Sequence, residues 1–192
     1  MLTQYKSMIN DALDTADTTI LNHMRDHLIL CADSNIPVLV IGNGGSADIG
    51  DHWSCDFTKG ISEDTNKKIN VRNLGSNMAL MTAIANDISY EDVFSKQIEW
   101  CQELDALVIA VSSSGSSPNI VKGLKTAKQK GYSTFAFVGF NGGTVLKNNL
   151  ADYIVHIDAN NYGVVEDCHH ILMHMLAQDI RKSFSVKGTL KL

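Results

Sequence analysis

His52 and Asp56 stand four residues apart, and so do Glu166, His170 and His174, with His169 beside them. On a helix that spacing brings side chains onto one face, where imidazoles and carboxylates can converge as metal ligands or as an acid–base pair. A second group of residues suits anions. Gly42-Asn43-Gly44-Gly45-Ser46 and Ser112-Ser113-Ser114-Gly115-Ser116-Ser117 are short runs of glycine and small polar residues. Glycine lets backbone N–H groups approach a ligand closely, and serine hydroxyls add donors for the several oxygens of a phosphate monoester. Neither loop is a nucleotide motif: no Gly-Lys-Ser/Thr follows a glycine, and GNGGSA lacks the third glycine of a dinucleotide turn.

The remaining histidines and the cysteines read more plainly. His23 and His27, one turn apart among Asn22, Arg25 and Asp26, lie on a solvated helix face, and His156 is an alternating strand residue. His169 and His170 are weighted toward structural, satisfied histidines. Cys31, Cys55, Cys101 and Cys168 show no CxxC or zinc-ribbon spacing, as expected of reduced, mostly packed thiols.

Each polar loop follows an apolar, β-branched run, 37–41 and 106–111, of the kind buried on both faces of a parallel sheet. Ser46 is expected to cap a helix that reaches about residue 58, with its N–H groups and positive dipole end turned toward the ligand. The unit then recurs, with Pro118 opening a second helix that Gly131 closes. Residues 59–68 read as a charged loop and 69–74 as an edge strand. Helical spacing covers 78–85 and 90–100, and further strands cover 133–138 and 153–157. Ile9, Leu13, Ala16, Ile20, Met24, Leu28 and Cys31 form the stripe of one long amphipathic helix before the first strand, and 165–183 form the last helix.

Alternating strands and helices of this length predict an α/β fold, a doubly wound parallel sheet of five strands with ligands at the carboxyl ends. At 192 residues the chain is read as one domain. Residues 1–34 form an oligomerisation helix, 35–184 the core and 185–192 a tail. A net charge of −5 argues against nucleic acid or an anionic membrane as partner. No signal-peptide pattern or membrane-length apolar run is present in the sequence, so the expected address is cytoplasmic.

VLVIGNGGSA, His52, TAIAND at 82–87, VIAVSSSGSSPNIVKGLKTAKQKG and the histidine-bearing last helix together resemble the sugar isomerase (SIS) domain. Within it the chain is similar to phosphoheptose isomerases, which interconvert sedoheptulose 7-phosphate and D-glycero-D-manno-heptose 7-phosphate for bacterial surface polysaccharide. The resemblance implies a flavodoxin-like SIS fold and a homotetramer with sites between subunits. It also implies that Ser46, Ser112, Ser113, Ser114 and Ser117 hold the phosphate and nearby oxygens, with Asn43, Gly44, Asp87 and Glu166 toward the sugar. Asp56 and His174 occupy the places of the catalytic pair, and His52, Asp56, Glu166 and His174 those of a zinc site. Three departures accompany it: Asp56 is one methylene shorter than the family glutamate, Glu166 replaces a neutral amide, and Gly163 stands where an acidic residue is frequent. Two alternatives stay open, another phosphosugar as substrate, or a non-catalytic scaffold like the SIS relative that binds the replication initiator.

Overall fold

The computed structural model describes residues 2–185. Five parallel strands form one sheet: β1 (Val38–Gly42), β2 (Val71–Asn73), β3 (Leu107–Ser112), β4 (Ser133–Val138) and β5 (Tyr153–His156), in the order β2-β1-β3-β4-β5. Because side chains alternate along a strand, each strand feeds two cores. Val38, Val40, Ile109, Val111, Phe135 and Phe137 face α1 (Leu2–Leu13), α2 (Thr18–Ser34), α3 (Gly45–Cys55) and α9 (Tyr162–Phe184). Leu39, Ile41, Val108, Ala110 and Val138 face α5 (Met78–Asp87), α6 (Ser95–Trp100), α7 (Pro118–Gln129) and α8 (Gly143–Lys147). The doubly wound α/β class and the edge position of β2 agree with expectation. No described helix is long and apolar enough to cross a membrane.

Three local expectations are corrected. The first helix is broken: Thr15 donates to the Ala12 carbonyl, and Asp17 accepts from the Thr19 amide as the N-cap of α2. The apolar stripe runs through the break because α1 and α2 pack on the same face, so periodicity hid a short polar cap. Ser46 is not the cap of α3. Gly44, at φ 53°, takes that place with no side-chain bond, and Ser46 is the second residue of the helix. The charged stretch after residue 58 is largely helical, since Asp56–Ile61 winds as a π-helix and Ser62–Asp64 adds an α-helical turn, α4. Phe57 and Ile61 are buried, and that packing outweighs the polar residues between them. The tail is reached only at Ser185, which bridges to Thr65; residues 186–192 of the expected tail lie outside the described residues.

Two smaller readings also shift. His27 is half-buried, edge-on to Phe135 and Tyr153, while His23 is exposed beside Tyr153. Cys31 and Cys168 are buried, but Cys55 is exposed.

Candidate active site

The site lies above the carboxyl ends of β1 and β3, the neighbours at which the strand order reverses direction, where doubly wound sheets open a crevice. A cavity of about 140 Å³ there is lined by Asn43, Ser46, Ser112, Ser113, Ser114, Ser117, Tyr162 and Glu166. Ser117 holds the N-cap position of α7 without closing the helix with its hydroxyl. The Ser113 hydroxyl is buried with no hydrogen-bond partner. No lysine or arginine among the described residues lines this cavity. The polar groups that line it are hydroxyls, the Asn43 amide and the Glu166 carboxylate.

The first loop is tied to the start of α7, which follows the serine loop. Asn43 and Asn119 exchange a pair of amide hydrogen bonds, 2.9 and 2.8 Å long, and the Tyr90 hydroxyl donates to Asn43 at 3.0 Å. Asn119 is 1% exposed. Tyr90 is set by its neighbour Asp92, whose carboxyl is held at about 2 by Lys122 and by the hydroxyls of Ser89 and Ser95. At Gly115 the backbone needs φ 59°, and a Cβ would meet the Gly142 carbonyl at 2.2 Å, so only glycine turns the serine loop back toward α8.

Beyond the cavity, α3 and α9 run side by side in the same direction. Trp53 and Phe57 stack with ring centroids 4.6 Å apart and point into the core, which turns their chain neighbours His52 and Asp56 outward toward α9. Asp56 is the first residue of the π-helical segment, a winding that recurs at functional sites. Its carboxylate lies 3.5 Å from Nε2 of His52 and 3.5 Å from Nε2 of His174. His170 joins them: its Nε2 approaches His52 Nδ1 at 2.5 Å, and its ring stacks on His174 with centroids 4.8 Å apart. One nitrogen from each of His52, His170 and His174 lies within 4.8 Å of the others. Burial, then the neighbouring imidazoles of His52 and His174, lower the pKa of His170, favouring the neutral, ligating form. Three imidazoles with a carboxylate at hand are a donor set that fits a divalent ion of the zinc type.

Not every predicted residue gathers here. Glu166 is absent from the three-residue cluster; its carboxylate lies over Gly45, where a Cβ would come within 2.7 Å of it, and it faces the serine cavity. The reason is register, since Glu166 sits one helical turn before the residue that meets His52. Burial, then Asp167 and Asp48, raise its pKa. Asp87 is exposed at the end of α5, accepts from Asn86 at 2.8 Å and does not line the cavity. Gly163 leaves room for Tyr5, whose hydroxyl donates to Asp167 at 2.8 Å and lays α1 across α9. His169 points away from the site into the core against Phe137, where burial lowers its pKa to about 4. His156 meets the Phe140 carbonyl at 2.8 Å, a structural role.

Sequence reading undervalued His170, although it is the middle member of the one-turn series 166, 170, 174. It missed Asn119 and Tyr162 entirely. A polar residue just after a helix-opening proline was the available signal for Asn119; none marked Tyr162.

A family profile for the SIS domain matches residues 3–139. The chain is 33% identical over 159 residues to a probable phosphoheptose isomerase of Thermoplasma acidophilum, covering 83% of this chain and 86% of that protein. It is 30% identical over 161 residues to a phosphoheptose isomerase of Helicobacter pylori, covering 84% and 82%. Among solved structures, a phosphoheptose isomerase from Francisella tularensis superposes with a TM-score of 0.83 at 22% identity, covering 94% of this chain and 95% of that one. One from Neisseria gonorrhoeae gives 0.78 at 21%, covering 94% and 92%, and these two likenesses speak for the fold.

Proposed function

This chain belongs to the SIS-domain family, and from that premise we propose that it is an aldose–ketose isomerase interconverting sedoheptulose 7-phosphate and D-glycero-D-manno-heptose 7-phosphate. The observation that carries the reading is the division of the site along α9. Glu166 faces the serine cavity, and His174 lies eight residues on, about 12 Å at the rise of an α-helix. A long open-chain phosphosugar with its phosphate on the serines thereby extends its carbonyl end toward Asp56 and His174.

Asp56 removes the proton from the carbon next to the carbonyl, which yields a cis-enediolate, and returns it to the neighbouring carbon. His174 moves the proton between the two oxygens. Tyr90, Asn119 and Asn43 hold the loop under the sugar, and Glu166 is placed to meet its hydroxyls. A zinc ion held at the histidine cluster would take up the His174 nitrogen that otherwise moves this proton, and would supply polarisation of the carbonyl oxygen in its place. The binding-only alternative is disfavoured, because the 3.5 Å approach of Asp56 to His174 supports an acid–base pair.

The chain is also assigned a cytoplasmic address, a homotetrameric state and a place in heptose supply for surface polysaccharide. The exposed apolar residues Leu2 and Met8 of α1 and Met175 of α9 support self-association.

The test is turnover of sedoheptulose 7-phosphate by the purified protein with and without zinc, beside Asp56→Asn and His174→Ala. Formation of the aldoheptose phosphate that both substitutions abolish supports the assignment. A folded protein that binds the phosphosugar yet never converts it, under any metal condition, overturns it.

A further inference from the structure

We infer that a metal ion on this chain is held by three imidazoles, those of His52, His170 and His174, and that Glu166 lies outside the ligand set. The inference deepens the isomerase reading and rests on it only for what the ion does, not for how the ion is bound.

The argument begins with register on two helices. His170 and His174 are separated by one turn of α9, the i, i+4 spacing with which paired histidines present nitrogens to one ion. Their rings lie nearly parallel, 24° apart, with centroids 4.8 Å from one another. His52 comes from α3 at a steep angle to both, 87° to His170 and 81° to His174. Three donors from two helices, with one crossed over the other two, close around a point instead of lying in a row. Zinc–nitrogen bonds of 2.0–2.1 Å put tetrahedral donors about 3.4 Å apart. The nitrogens lie within 4.8 Å of one another, close to that spacing. Asp56, 3.5 Å from two of the rings, stands next to the set as a fourth donor or as the group that orients the imidazoles.

Glu166 fails the same examination. Its carboxylate packs against Gly45, seven residues before His52 on α3, and it shares a cavity with six residues of the serine and glycine loops but with no histidine. A side chain fixed there serves whatever fills the cavity. The exchange of Glu166 for His170 also changes what the site prefers: a set dominated by neutral nitrogens selects zinc, cobalt or nickel over magnesium or calcium, which want oxygen.

The experiment is metal binding without sugar. Chelator-stripped wild type, His170→Ala and Glu166→Ala are titrated with zinc against a chromophoric competitor, and with cobalt to read tetrahedral absorption. The expected results are one ion per wild-type chain, a loss of about tenfold or more in zinc affinity and of the cobalt bands in His170→Ala, and wild-type behaviour in Glu166→Ala. Wild-type affinity in His170→Ala, or a comparable loss in Glu166→Ala, overturns the inference. If His170→Ala does not fold, imidazole nitrogen spectra of the wild type decide: zinc must move the signals of His52, His170 and His174, and unchanged His170 signals overturn the assignment. Zinc binding through His170 without turnover of sedoheptulose 7-phosphate would count against the isomerase reading alone. Turnover together with undiminished affinity in His170→Ala would count against this inference alone.

Discussion

At the serine end of the site, donors belong to backbone or to hydroxyls fixed by a tight loop, and Ser112 and Ser113 are each 5% exposed. At the histidine end the working groups are side chains alone, and His52, Asp56 and His174 keep 39%, 33% and 44% of their side-chain surface open. The first region is tightly looped and presents no lysine or arginine among the described residues, suited to a group that is held unchanged. The second is adjustable and titratable, suited to a group whose bonds change. Substitutions at the two ends should therefore fail in different kinetic constants.

The largest effect is expected at the histidine end. Asp56→Asn keeps shape but removes the base, and kcat should fall by roughly 10²–10⁴ with KM little changed; a matching rise in KM would erase the proposed division. Stability offers a second contrast, between the two faces of α9. His169, on the core face, is neutral in the fold and titrates at about 4, against an ordinary 6.5. Between those values the unfolded chain binds more protons than the native one. The associated stability is thus complete above about pH 6.5 and is lost as pH falls through 4, by roughly 3 kcal/mol. Denaturant melts of wild type and His169→Phe across that window should diverge in slope.

At the serine end, Ser113→Ala deletes a buried hydroxyl that has no partner. KM should rise roughly 10- to 100-fold, the worth of a hydrogen bond to a charged group, while the melting temperature stays level or rises. A lowered melting temperature would mean the hydroxyl is structural. The smallest effect is expected below the cavity, where Asn119→Ala leaves Asn43 without its amide partner. Thermal denaturation should register a loss of roughly 1–3 kcal/mol, with kcat following KM only weakly.

Much of this was legible in the chain. The runs 38–41 and 107–111 are so uniformly apolar and β-branched that only buried parallel strands suit them, and the two polar loops that follow had to meet at their ends. What stayed hidden depended on register between distant segments. Nothing local says that α9 presents residue 170, and not 166, to His52, because that is set by how Val165, Cys168, Leu172 and Met173 seat the helix on the sheet. The π-helical turn was hidden for a related reason: Lys59, Gly60 and the acidic residues after it read as loop, and only the burial of Phe57 and Ile61 by tertiary packing winds them up.

The reciprocal amide bonds between Asn43 and Asn119 bear on the timing of recognition. Binding loops commonly become ordered when the ligand arrives, at about 1–2 kcal/mol of entropy for each residue fixed. Here the first loop is joined to the start of α7 by bonds already present in the ligand-free fold. On the proposed function, a phosphorylated sugar enters a cradle whose shape already exists, and its association should be governed by diffusion and desolvation instead of by waiting for a rare open form.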